Sequence, residues 1–110
     1  MKSSIPALIV VCGYPVQTRN KFAASLAKST GYELKYEIDD PGTLEHAVKT
    51  VDHEKTETLI VVVDEAKVVK HKNMFWIFVA AYPNEEAPKG VNLRLEGDAG
   101  TLSEVAQILF

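Results

Sequence analysis

The sequence predicts a three-layer α/β/α fold on a mostly parallel five-stranded sheet, and three observations predict it. Short apolar, β-branched runs alternate with amphipathic stretches from one end of the chain to the other. Glycine, proline and aspartate breaks separate them. Two of the runs, "ALIVVC" and "TLIVVV", are continuous in apolar character, the pattern of a strand buried on both faces. Strands separated by helices imply βαβ units, and therefore parallel pairing with helices on both sides of the sheet. The 110 residues form a single domain, 1–110, large enough for a core but too small to carry a separate lid.

Each element follows from its own pattern. Ala7–Cys12 is the first buried strand. Arg19–Thr30 sets Phe22, Ala23, Leu26, Ala27 and Thr30 at helical spacing and closes on Gly31, a C-cap residue. Tyr32–Ile38 alternates Leu34, Tyr36 and Ile38 with Glu33, Lys35 and Glu37, a half-exposed edge strand. After the break "DDPG", Thr43–Val51 reads as a second helix with Thr43 as N-cap. Thr58–Val63 is a buried strand ending in Asp64-Glu65, and Ala66–Asn73 is a short basic turn or loop. Met74–Ala81 is a third buried strand, with Phe75, Trp76 and Phe78 expected in the core. Following the loop "YPNEEAPKG", Val91–Glu96 alternates as an edge strand. Thr101–Phe110 is the closing helix, capped by Thr101 or Asp98.

Composition narrows the function classes. A formal charge of −3 gives no basic footprint for nucleic acid, and the cluster Lys67, Lys70, His71 and Lys72 reads as a solvated loop. No apolar stretch reaches the ~20 residues of a membrane span. One cysteine excludes an intrachain disulfide and any multi-cysteine metal site. His46, His53 and His71 lack metal-ligand spacing. The cytoplasm is the expected location.

In an open parallel sheet, ligands sit beyond the carboxyl ends of the strands, where the strand order reverses. That rule nominates Cys12–Asn20, Asp39-Asp40, Asp64-Glu65 and Tyr82–Asn84. The segment "GYPVQTRN" and the helix closing on Gly31 resemble the first unit of P-loop kinases and related NTPases, whose loop runs G-x-x-x-x-G-K-[ST]. "LIVVVDE" resembles their Walker B strand, and "MFWIFVAAYPNEEAPKG" and "VNLRLEGDAGTLSEVAQIL" resemble the units that follow it. The resemblance implies ATP or GTP with magnesium as cofactor. It puts Gly13, Thr18, Arg19 and Asn20 at the phosphates, Asp64 on the magnesium, Glu65 or Asp39 as base, and Asp39-Asp40 near an acceptor.

The residues inside that frame are chemically wrong for it. A P-loop wraps phosphate with backbone N–H groups, and its glycines allow the required dihedrals. Val16, Gln17 and Thr18 occupy positions where small residues are needed, and a β-branched residue at positive φ is disfavoured by ~1–2 kcal/mol. Pro15 lacks an N–H. Arg19 keeps the charge of the lysine but not its shape, and Asn20 has no hydroxyl for magnesium. No segment is long enough for a lid. The expected function is therefore a non-catalytic descendant: a small regulatory or binding domain whose partner is another protein or itself, with residual anion binding at Arg19. The alternating edges Tyr32–Ile38 and Val91–Glu96 are its natural pairing surfaces. A divergent nucleotide-dependent kinase or NTPase is the alternative. A third reading takes Cys12, at the end of a strand before a loop and helix, as a phosphoacceptor resembling the phosphocysteine of four-stranded sugar phosphotransfer IIB domains.

Overall fold

The computed structural model describes residues 6–36, 48–49, 58–63 and 74–109. Five strands form one sheet: β1 (Leu8–Tyr14), β2 (Glu33–Tyr36), β3 (Leu59–Val62), β4 (Met74–Ala80) and β5 (Leu93–Glu96). Their order is β2-β3-β1-β4-β5, and every neighbouring pair is parallel. Two helices are described over their full length, α1 (Val16–Thr30) and α2 (Ala99–Ile108). The fold class expected from the sequence is the one observed.

The apolar runs lie at the centre because they have two faces to bury. β1 sits between β3 and β4, with Val10 aligned on Val61 and on Trp76. Alternate residues point to opposite faces of a strand. Ile9, Val11, Ile60, Val62, Ile77 and Val79 therefore meet Phe22 and Leu26 of α1 and Leu102 and Ala106 of α2 on one face. Leu8, Val10, Cys12, Leu59, Val61, Trp76 and Phe78 form a second core on the other face, where Val48, Ala87 and Val91 pack against them. Emptying either core is costly: truncating Leu102 on one face or Leu59 on the other to alanine removes about 2–5 kcal/mol.

The two connections that can be followed obey one rule. Crossovers between parallel strands are right-handed, so those running in opposite directions along the sheet lie on opposite faces. The chain leaves β1 toward β2 through α1 on the first face, and leaves β4 toward β5 through Ala87 and Val91 on the second. This divergence about β1 makes its carboxyl end the reversal point of the sheet.

Helix ends follow local chemistry. Gly31, at φ 81°, adopts the left-handed C-cap its missing Cβ permits, and its N–H donates to Ala27 O at 2.8 Å. At α2 the cap is Asp98, whose carboxylate accepts the Thr101 N–H at 2.8 Å, so this helix starts two residues before Thr101. Helix α1 also starts early, at Val16 instead of Arg19, a difference that decides the reading of the site. Val48 and Lys49, within the expected second helix, are helical; the rest of Thr43–Val51 and the segment Ala66–Asn73 lie outside the described residues. Among the described residues no helix is long and apolar enough to cross a membrane.

Candidate functional site

The carboxyl end of β1 runs straight into α1. The strand continues through Tyr14, Pro15 alone links it to the helix with φ −75° and ψ 165°, and Val16 is already helical. The first helical bond closes from Arg19 N–H to Pro15 O at 3.1 Å. Proline suits this junction because its φ is fixed near the extended value and a helix needs no N–H from it there. Of the eight residues Gly13–Asn20, two are strand, one is a link and five are helix. The motif spacing puts Val16, Gln17 and Thr18 at loop positions; the structure corrects this, placing all three in α1, because Pro15 presets the entry and its carbonyl accepts the Arg19 N–H that closes the first turn.

Gly13 explains itself without a ligand. Its φ is 127°, and a Cβ there would stand 2.9 Å from both the carbonyl carbon and the amide nitrogen of Val79 and nearer still to the carbonyl oxygen. The space a side chain would occupy belongs to the backbone of β4, with which Gly13 is in register.

Arg19 turns inward. It is completely buried in the first turn of α1, beside the half-hidden Asn20 and the buried Thr18. Its Nη1 donates to Val63 O at 3.4 Å and its Nε to the Asn20 side-chain oxygen at 3.3 Å. The guanidinium therefore ties α1 to the end of β3, the point from which the chain enters Asp64-Glu65. Asp64, Glu65, Asp39 and Asp40 themselves lie outside the described residues.

Cys12 is also buried, and its Sγ–H donates to Ile77 O at 3.6 Å. Burial pushes its thiol up to about 11, and the positive charge of Arg19 offsets only part of that. A nucleophilic cysteine needs the opposite environment, electropositive and reachable, with a lowered pKa. Among the described residues no cluster of three His, Cys, Asp or Glu could hold a metal ion.

Two features at this rim have only faint sequence signals. Arg94 of β5 spans the rim to the loop after β4: its Nη2 donates to Glu85 O at 2.7 Å and its Nε to the same oxygen at 3.0 Å. Its Nη1 pairs with Glu96 at 3.1 Å. The second is an open groove of about 530 Å³ along α1, lined by Gln17, Thr18, Asn20 and Lys21 together with Tyr36 and Ala99. The sequence shows Tyr36 only as one of the apolar positions of an alternating edge strand; in the structure it is exposed.

Across most of its length the architecture resembles that of a de novo designed protein of P-loop NTPase fold, known from its solution NMR structure. The two share 15% sequence identity with a TM-score of 0.69, over 94% of this chain and 89% of the designed one. The fold is P-loop NTPase-like. At that identity the likeness speaks for architecture alone, and no family model and no curated protein matches the sequence.

Proposed function

We propose that this chain is a non-catalytic P-loop-NTPase-like domain that works by binding a protein partner, without nucleotide turnover. The observation that supports the absence of nucleotide turnover is the start of α1 at Val16, separated from β1 by Pro15 alone. A phosphate cradle needs an extended stretch of backbone between strand and helix whose N–H groups converge on the anion; here those residues are wound into the helix. The surrounding groups fit ATP and magnesium no better. Arg19 is buried against Val63, and the Asn20 side-chain oxygen already accepts from Arg19. The raised thiol of Cys12 argues against the phosphocysteine reading for the same kind of reason, since the thiolate is the reactive form.

The test is a titration with ATP and magnesium followed through the backbone amides of Gly13, Val16, Gln17, Thr18 and Arg19. Trp76 is a poor reporter, because it lies in the core on the sheet face away from α1. These amides are expected to stay in place up to millimolar nucleotide. A saturable shift centred on Val16–Arg19 would overturn the reading.

A further inference from the structure

The edge strand β2 carries a pattern that selects its own copy as partner. Glu33 N–H donates to Thr58 O of the neighbouring segment at 3.2 Å, so Glu33 and, two residues on, Lys35 direct their backbone into the sheet. By the same alternation Leu34 and Tyr36 direct theirs outward, and β2 ends the strand order, with no described strand beyond it. Side chains alternate too. Leu34 packs with the α1 face and Tyr36 lines the groove along α1, while Glu33 and Lys35 share the other face and pair with each other at 3.6 Å. All but Leu34 are exposed, and Tyr36, at 49% exposure, is one of the few large apolar groups left in solvent.

We propose that this edge forms a two-fold antiparallel pair with β2 of a second copy, centred on Leu34 against Leu34, joining two sheets into one. The inference rests on the protein-binding reading above and names its partner. Three properties agree on this register. In an antiparallel pair, residues with outward backbone groups face each other and exchange N–H···O bonds. Leu34 does so with its counterpart, and each Tyr36 N–H meets the Tyr32 carbonyl of the other copy, giving four bonds. The intervening pairs are then Glu33 opposite Lys35 and Lys35 opposite Glu33, opposite charges in the close, non-hydrogen-bonded positions. A lone charge on an edge repels a copy of itself; Glu-Leu-Lys read about its centre attracts one. Finally, Leu34 and Tyr36 of both copies fall on the same face, where each Tyr36 ring gains apolar cover.

The other edge, β5, has a similar Arg94-Leu95-Glu96 pattern, but Arg94 spends its donors on the carbonyls of Tyr82, Pro83 and Glu85. β2 has no such commitment among the described residues. An interface of one short strand is small, which places the association at the weak end of the usual range.

The experiment is sedimentation of the full chain from about 10 µM to about 1 mM, with two charge variants, Glu33→Lys and Lys35→Glu. Wild type is expected to dimerise with rising concentration, with amide-exchange protection gained at Leu34 and Tyr36. Each variant alone sets like charges opposite each other and is expected to weaken self-association at least about tenfold. Mixing the two restores opposite charges at both pairs, so a heterodimer re-forms; that rescue also shows both variants are folded. A wild type that stays monomeric throughout overturns the proposal, as does a dimer that survives both variants or is abolished by Glu96→Lys instead. In each of those cases unchanged amides in the ATP titration leave the non-catalytic reading standing, with a different partner.

Discussion

Gly13 and Val79 are packed backbone against backbone, so tightly that no Cβ fits between them. The glycine that looks like the opening of a phosphate loop is thus a packing glycine of the β1–β4 pair. Gly13→Ala must both adopt φ 127° and push β4 away, and the two penalties together amount to about 3 kcal/mol or more. Urea unfolding should show a loss of that size. A variant as stable as wild type would mean that the close approach is not maintained in solution.

Cys12 makes stability pH-dependent on the alkaline side. Its thiol ionises near 9.0 when unfolded and near 11 when folded. The unfolded chain therefore gives up the proton first, and the thiol's contribution is complete below pH 9 and lost as pH rises through 11. At 1.36 kcal/mol per pH unit the loss approaches about 2.7 kcal/mol. Cys12→Ala removes this component, so the difference in unfolding free energy between wild type and variant should shrink steadily from pH 8.5 to 11. Native Cys12 should also resist thiol reagents until urea is added.

The fold was readable because burial leaves a periodic trace. "LIVVC", "TLIVVV" and "MFWIFVA" are short β-branched and aromatic runs bounded by breaks, the pattern of strands covered on both faces, and helix ends are marked by Gly31 through its missing Cβ and by Asp98 through its carboxylate. The site was read less well because a motif window is read by position, whereas the chain obeys local conformational preference. "GYPVQTRN" matches the spacing of a phosphate loop, yet Pro15 starts a helix at the very next residue, and Arg19 turns inward once it lies in a first turn facing β3. The role of Asn92 was equally hidden. Its side-chain oxygen accepts the Trp76 N–H at 2.8 Å while its own N–H donates to Trp76 O at 3.0 Å, extending the β4–β5 pairing above β5 by side chain. Nothing in "VNLRLE" distinguishes that asparagine from a solvated one.

Asp98 gives an acid-side counterpart. The Thr101 backbone N–H holds its carboxyl below the ordinary 3.8. Its contribution is present above the unfolded value and lost as pH falls through the lower folded value. Asp98→Ala should lower the melting temperature at neutral pH by removing the cap. Asp98→Asn keeps an oxygen acceptor, so its melting temperature should stay near wild type at neutral pH and change less between pH 4 and 2.5.

Arg19 separates the structural reading from the catalytic one most sharply. A phosphate-binding arginine could be replaced with little cost to stability, and its loss would appear in ligand affinity. A buried arginine bonded to Val63 O and Asn20 behaves in the reverse way. Arg19→Met keeps the apolar stem but strands a carbonyl at the end of β3, with an expected loss of about 1–3 kcal/mol in urea unfolding. Arg19→Lys should not restore it, because Arg19 reaches Asn20 from Nε and Val63 from Nη1, two places along a planar fork, whereas lysine gathers all its donors at one point beyond an apolar stem. Removing the positive charge also lifts the Cys12 thiol further, so the alkaline loss of stability should begin at the same pH in Arg19→Met and extend to higher pH. Wild-type stability in Arg19→Met, combined with a nucleotide response that vanishes, would assign this residue to phosphate after all.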